Sequence, residues 1–230
     1  NLVGRQEELA KAIIATGKPV IVLLINGRPL SINYLAENAP AIIEGWYLGQ
    51  ETGHAVADVL FGEVNPSGKL TVTVPRNVGQ LPCYYNRKTS RFSEYVNSNS
   101  TPLYPFGFGL SYTTFEYGGL EISPESSGPY GQFHISAEIK NTGKRAGSEI
   151  VQLYIHDKIS SVVRPVKELK GFTKIWLEPG ESTRVNFTLT HDELKMLDKH
   201  LDWVVEPGTF TILLGSSSGD IRLEGNLRIN

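Results

Sequence analysis

Phe133-His-Ile-Ser-Ala-Glu-Ile139 places an apolar residue at every second position. A side-chain period of two is that of a β-strand with one face in a core and the other in water. The same alternation recurs in Val151, Leu153 and Ile155, in Val185, Phe187 and Leu189, and in Phe210, Ile212 and Leu214. Turn formers separate these runs: Asn141-Thr-Gly143, Pro179-Gly180 and Pro207-Gly208. About seven short strands in roughly 110 residues is the pattern of an immunoglobulin-like (fibronectin type III-like) β-sandwich. The single cysteine, Cys83, rules out the disulfide-linked antibody type.

Upstream of Phe115 the periodicity is different. Pro19-Val-Ile-Val-Leu-Leu-Ile25 is a continuous apolar run rich in β-branched residues. Such a run suits a parallel strand covered on both faces. Before it, Gly4 to Thr16 carries Leu9, Ala12 and Ile13 at helical spacing, with Gly17 as a stop. After it, Ser31 can cap a short helix through Glu37, and Ala41 to Trp46 reads as a second strand. Gln50 to Phe61 reads as a helix with Ala55, Val56, Val59 and Leu60 on its inner face and Gly62 at its end. Alternating strand and helix imply a parallel α/β layer, here with too few units for a complete domain. Leu70 to Val74 reads as one more short strand. The expected organisation is therefore α/β followed by all-β. A partial parallel α/β sandwich domain spans 1–96, a linker rich in Asn and Ser spans 97–115, and the β-sandwich spans 116–230.

Composition excludes several classes of function. A formal net charge of -2 gives no basic excess for nucleic acid or an anionic membrane surface. No apolar run reaches the ~20 residues of a membrane-spanning helix. The five histidines show no paired ligand spacing, so neither a metal nor a cofactor is expected. Cys83 reads as a small half-buried residue beside Pro82 and Tyr84. Phe106-Gly-Phe-Gly109 lacks the third glycine and the strand-to-helix context of a nucleotide loop, and reads as a turn. His191-Asp-Glu-Leu194 is internal and therefore inert as a retention signal.

The candidate site residues follow from the α/β part. Open parallel sheets bind ligands at the carboxyl ends of their strands. Glu44 and Glu51 flank Trp46-Tyr47 at such an end, where an aromatic face can stack on a ligand. For Trp46, core packing is the expectation and substrate contact the alternative. For Glu51, the alternative to substrate contact is a place in the first turn of the next helix, favoured by its dipole. The polar stretch from Tyr84 to Tyr95, with Arg87, Lys88, Arg91 and Glu94, either braces the sandwich or lines a site rim.

Several longer segments together resemble glycoside hydrolase family 3, in order and spacing. They are Thr16-Gly-Lys-Pro-Val-Ile-Val-Leu-Leu-Ile-Asn-Gly-Arg-Pro-Leu30, Glu44-Gly-Trp-Tyr-Leu-Gly-Gln-Glu-Thr-Gly53 and Ala57-Asp-Val-Leu-Phe-Gly-Glu-Val-Asn-Pro-Ser-Gly-Lys-Leu70. Tyr104-Pro-Phe-Gly-Phe-Gly-Leu-Ser-Tyr-Thr-Thr-Phe115, Arg164-Pro-Val-Lys-Glu-Leu-Lys-Gly-Phe172 and Leu177-Glu-Pro-Gly-Glu181 continue the match. The resemblance covers essentially the whole chain and is nearest to the three-domain bacterial β-glucosidases. It implies an exo-acting, retaining β-glucosidase, with β-xylosides as an alternative substrate class. It also implies a (β/α)8 barrel as the chain's partner, carrying the aspartate nucleophile, with the acid/base glutamate also expected upstream of Asn1. On this reading the chain alone is inactive, Trp46, Glu51 and Arg91 are the candidate substrate contacts, and a homodimer is compatible. A periplasmic or secreted location is expected, with the cytoplasm as the alternative. The rival function is a non-catalytic, fibronectin-like binding or scaffolding module.

Overall fold

The computed structural model describes residues 1–88 and 99–230. They divide into two compact units whose segments interleave along the chain. Of the described residues, 1–64, 72–84 and 99–105 form the first, and 65–71, 85–88 and 106–230 form the second.

In the first unit the elements are α1 (Gln6–Ile14), β1 (Ile21–Leu24), α2 (Asn33–Asn38), β2 (Ala41–Glu44) and α3 (Thr52–Phe61). β1 and β2 pair in parallel, from Ile21 opposite Ala41 to Leu24 opposite Glu44. Leu24, Ile32 and Leu35 are buried, and Ala10, Ile14, Leu103 and Tyr104 pack around them. Leu9 and Ile13, expected on the inner face of α1, are exposed; the packed residues are Ala10 and Ile14, one helical turn apart. Ser31 does not cap α2, whose first turn begins after Ile32 without a side-chain cap. α3 ends at Gly62 as its sequence requires. Gly62 adopts φ 79°, a left-handed conformation that glycine takes without steric cost. None of the α3 residues is buried, and Ile21, Ile25, Leu60 and Phe61 are exposed apolar groups.

Leu70 to Val74 forms no strand. Its two ends are nonetheless paired: the Leu70 amide donates to the Phe108 carbonyl and the Leu70 carbonyl accepts from the Gly107 amide, while Val74 bridges Tyr104.

The second unit is a β-sandwich. One sheet has three strands in the order β3-β5-β8: β3 (Phe115–Ser123), β5 (Phe133–Asn141) and β8 (Ser182–Leu189). The other has five in the order β4-β12-β11-β6-β7: β4 (Ser126–Ser127), β12 (Asp220–Ile229), β11 (Gly208–Ser217), β6 (Gly147–Asp157) and β7 (Glu168–Leu177). A one-turn helix, α4 (His191–Leu194), and a small ribbon of β9 (Met196–Leu197) and β10 (Trp203–Val204) join β8 to β11. The alternating residues read from the sequence form the core. Phe133, Ile135, Ala137, Ile139, Val151, Leu153, Ile155, Phe210, Ile212 and Leu214 are all essentially inaccessible to water. Phe187 packs against them at the margin.

Long-range contacts, invisible to local pattern, extend this unit beyond the expected start at 116, while the expected 96/97 boundary lies outside the described residues. Asn65 donates to the Ala146 carbonyl and accepts from Ser111 Oγ and the Tyr112 amide. Lys69 pairs with the buried Glu149 at 3.1 Å. Tyr85 stacks on Phe106 with centroids 4.3 Å apart and meets Tyr154 edge-on. These rings cover the outer face of β6, which is why Tyr154 is fully buried although it points away from the core. Gln152 donates to the carbonyls of Gly107 and Ser216. The described part of the Tyr84–Tyr95 stretch therefore braces the sandwich: Arg87 accepts from Val166, and Tyr85 Oη accepts from the Leu169 amide.

Asn141 fastens the end of β5. Its amide donates to the carbonyls of Arg145 and Leu177, and its Oδ1 accepts from Thr113 Oγ1 and the Gly143 amide. No helix among the described residues is long and apolar enough to cross a membrane.

Candidate functional site at the strand ends

Polar residues stand at or just beyond the carboxyl ends of β1 and β2, after Ile25 and Ile43. Asn26 lies two residues beyond β1, Glu44 closes β2, and Trp46 follows. The Gly45 amide donates to the Leu24 carbonyl at 2.9 Å, which holds the two strand ends together.

Glu44 is the charged centre of this cluster. One carboxylate oxygen accepts from the Trp46 amide at 3.2 Å, and the other lies 3.5 Å from Asn26 Nδ2. Partial burial pushes the Glu44 carboxyl above its ordinary range, and the two donors pull it part of the way back. Asn26 Nδ2 also donates to the Arg28 carbonyl at 2.7 Å. Asn26 Oδ1 is buried and has no hydrogen-bond partner among the described residues. A buried acceptor left open marks a place where a ligand donor or a water fits.

Trp46 is half-buried and has φ 48°. A left-handed backbone at a large aromatic residue is uncommon, and such strain concentrates at functional sites. Tyr47 beside it is exposed, and its ring lies over Gly27, where a Cβ would come within 2.8 Å of the ring. The strand ends thus carry two aromatic rings, a half-buried carboxyl and an amide with a free acceptor.

Of the three residues singled out from the sequence, the structure places only Trp46 in this cluster. Glu51 ends a short 3-10 turn, Gly49–Glu51, at the start of α3. It is exposed, and its carboxylate pairs with His54 Nδ1 at 2.8 Å. Arg91 lies outside the described residues. Glu44 was placed beside Trp46 by the sequence but not counted among the substrate contacts. Asn26 carried no recognisable motif. The signal for both was position: a polar residue where a parallel strand ends. Among the described residues no group of three His, Cys, Asp or Glu side chains is arranged to hold a metal ion.

In this chain a parallel α/β segment with a polar, aromatic strand-end site is followed by a fibronectin-type sandwich. Residues 1–112 match the glycosyl hydrolase family 3 C-terminal domain, and 149–218 match a fibronectin type III-like domain. The chain belongs to glycoside hydrolase family 3 and corresponds to the C-terminal portion of its members. It is 54% identical over 222 residues to a β-xylosidase of Formosa agariphila, covering 95% of this chain and 31% of the relative. It is 43% identical over 231 residues to a periplasmic β-glucosidase of Salmonella typhimurium, covering 94% of this chain and 30% of the relative. Among solved structures, a β-glucosidase from Erythrobacter marinus superposes with a TM-score of 0.96 at 50% identity, over 100% of this chain and 30% of that one. The chain therefore spans about a third of the length of the relatives it matches.

Proposed function

We propose that this chain is the C-terminal part of an exo-acting, retaining β-glucosidase that removes terminal β-D-glucosyl residues from β-glucosides or short β-glucans. The observation that carries the reading is the superposition on a β-glucosidase along the entire chain, at a TM-score of 0.96 and half-identical sequence. Retention requires two carboxyl groups about 5–5.5 Å apart, one nucleophile and one acid/base. On this reading both come from the (β/α)8 barrel and the segment next to it, and the chain by itself does not turn over substrate. The exposed apolar residues of the first unit, Ile21, Ile25, Leu60 and Phe61 among them, supply surface for that larger part to cover.

In this proposal the strand-end cluster forms part of the wall of the sugar site. Trp46 offers a stacking face, the free Oδ1 of Asn26 accepts from a sugar hydroxyl, and Glu44 holds the Trp46 backbone in its strained form. Glu51 and Arg91 are kept as candidate substrate contacts. A periplasmic or secreted location fits the periplasmic relative. The barrel is the partner in the same enzyme, and a homodimer is compatible with the reading.

A β-xyloside substrate is the second reading, favoured by the 54% identity to a β-xylosidase. The complete enzyme, assayed with aryl β-D-glucoside and aryl β-D-xyloside, decides between them. A higher kcat/KM for the glucoside is expected. A preference for the xyloside would overturn the glucosidase assignment, and turnover of neither would favour a binding or scaffolding module.

A further inference from the structure

The outer face of the five-stranded sheet carries a cleft of about 600 Å³. Its floor runs across three adjacent strands. His156 on β6 is opposite Thr211 on β11, and Thr211 is opposite Asn226 on β12. Thr211 sits between Phe210 and Ile212, whose side chains enter the core, so its own side chain faces outward. Leu213 and Val166 add apolar surface to the lining. Lys158, Lys167 and Glu224 complete the polar part of the lining.

The polar groups are arranged and only partly used. Lys167 Nζ donates to the Ser218 carbonyl at 2.6 Å, which fixes the amine and leaves two of its three N–H groups. Burial lowers the pKa of Lys167, and Glu224 draws it partly back. Thr211 Oγ1 donates to Asn226 Oδ1 at 3.3 Å, which leaves the Asn226 amide N–H groups for another acceptor. His156 Nδ1 is buried and has no partner among the described residues. A buried ring nitrogen without a partner calls for a water or a ligand.

We propose that this cleft binds an acidic saccharide, with the sugar hydroxyls meeting Thr211, Asn226, His156 and Glu224 and the carboxylate meeting Lys158 and Lys167. A sugar ring presents both donors and acceptors, and the cleft offers both: Glu224 accepts, Asn226 donates, and the His156 ring does either according to tautomer. The apolar patch of Leu213 and Val166 suits the C–H face of a pyranose. Two lysines against one glutamate give the lining a positive balance, which favours a carboxylated sugar over a neutral one. The cleft shares no residue with the strand-end site, so this inference stands apart from the proposed activity.

The test is calorimetric titration of the complete enzyme with sodium glucuronate, glucose and sodium acetate. Glucuronate is expected to bind at about 1 mM, the affinity its size allows, and at least about tenfold more tightly than either control. Lys167→Met and Asn226→Ala should each weaken glucuronate about tenfold while leaving kcat/KM for an aryl glycoside unchanged. Lys158→Ala, at an exposed side chain, serves if Lys167→Met does not fold, and carries the same expectation. Equal binding of glucose would overturn the carboxylate assignment, and equal binding of acetate would reduce the cleft to a simple anion site. No binding, or binding untouched by the variants, would overturn the site itself. Loss of glycosidase activity in the parent enzyme would strike the proposed function without altering how the titration is read.

Discussion

Replacing Trp46 in the complete enzyme sets two effects against each other, and the structure gives both a size. Full burial would make a Trp→Ala change cost about 3–5 kcal/mol. Trp46 is only half-buried, so about 2 kcal/mol is expected. Its φ of 48° costs an L-residue about 1–2 kcal/mol, whereas glycine takes that conformation freely. Glycine loses about 0.5–1 kcal/mol more chain entropy than alanine on folding. The strain term is the larger, so Trp46→Gly should be more stable than Trp46→Ala by about 0.5–1 kcal/mol, the reverse of the usual order. If the ring stacks on the sugar, both variants should also lose about 1 kcal/mol of binding, a rise in KM of about fivefold with a smaller change in kcat. Thermal unfolding and steady-state kinetics on the same preparations read both effects. A lowered melting temperature with unchanged KM in the folded enzyme would reject the substrate role. Alanine more stable than glycine would reject the strain argument.

Two further outcomes test the sandwich. Asn141→Ala strands two carbonyls, one amide and one hydroxyl in a largely buried corner, and should cost about 3–4 kcal/mol in urea unfolding. A loss below about 1 kcal/mol would mean that water replaces the side chain there. Arg164 is buried against Asp157 at 3.2 Å and Glu168 at 2.7 Å, and Lys170 remains beside Glu168 when it is removed. Arg164→Met therefore orphans chiefly the Asp157 carboxylate and should cost about 3–5 kcal/mol at pH 7. Burial already holds the Asp157 pKa above its ordinary value, with Arg164 pulling it down. A raised folded-state pKa means that protonation favours the fold, and the variant raises it further. The deficit should shrink as pH falls through the folded pKa of Asp157, and a deficit that grows on acidification would refute the account.

What the sequence determined by itself was whatever depends on neighbours along the chain. The period of two in β5, β6 and β11 marked the sandwich core because the residues of each strand that face the other sheet are the alternating apolar ones, whatever covers the opposite face. The apolar run around Val22 to Leu24 marked a parallel strand, and Gly62 marked the end of α3. The order of segments also carried the family. Position at a strand end pointed to Trp46 with Glu44 beside it, and the same cue could have raised Asn26. Tertiary structure decided the rest, because those features depend on residues far apart in the chain. Leu70 to Val74 had the alternation of a strand, but only its two ends pair with residues 103–108 and no strand forms. Residues 65–69, 85–88 and 106–114 read as loop and linker, yet the Lys69–Glu149 ion pair, the Asn65 hydrogen bonds and the contacts of the Tyr85 ring with Phe106 and Tyr154 bind them into the sandwich. The inner face of α1 turned out to be Ala10 and Ile14, because periodicity fixes that a face exists and only packing fixes which way it points. The cleft across His156, Thr211 and Asn226 exists only through the pairing of three strands, a register that no local stretch of this sequence encodes.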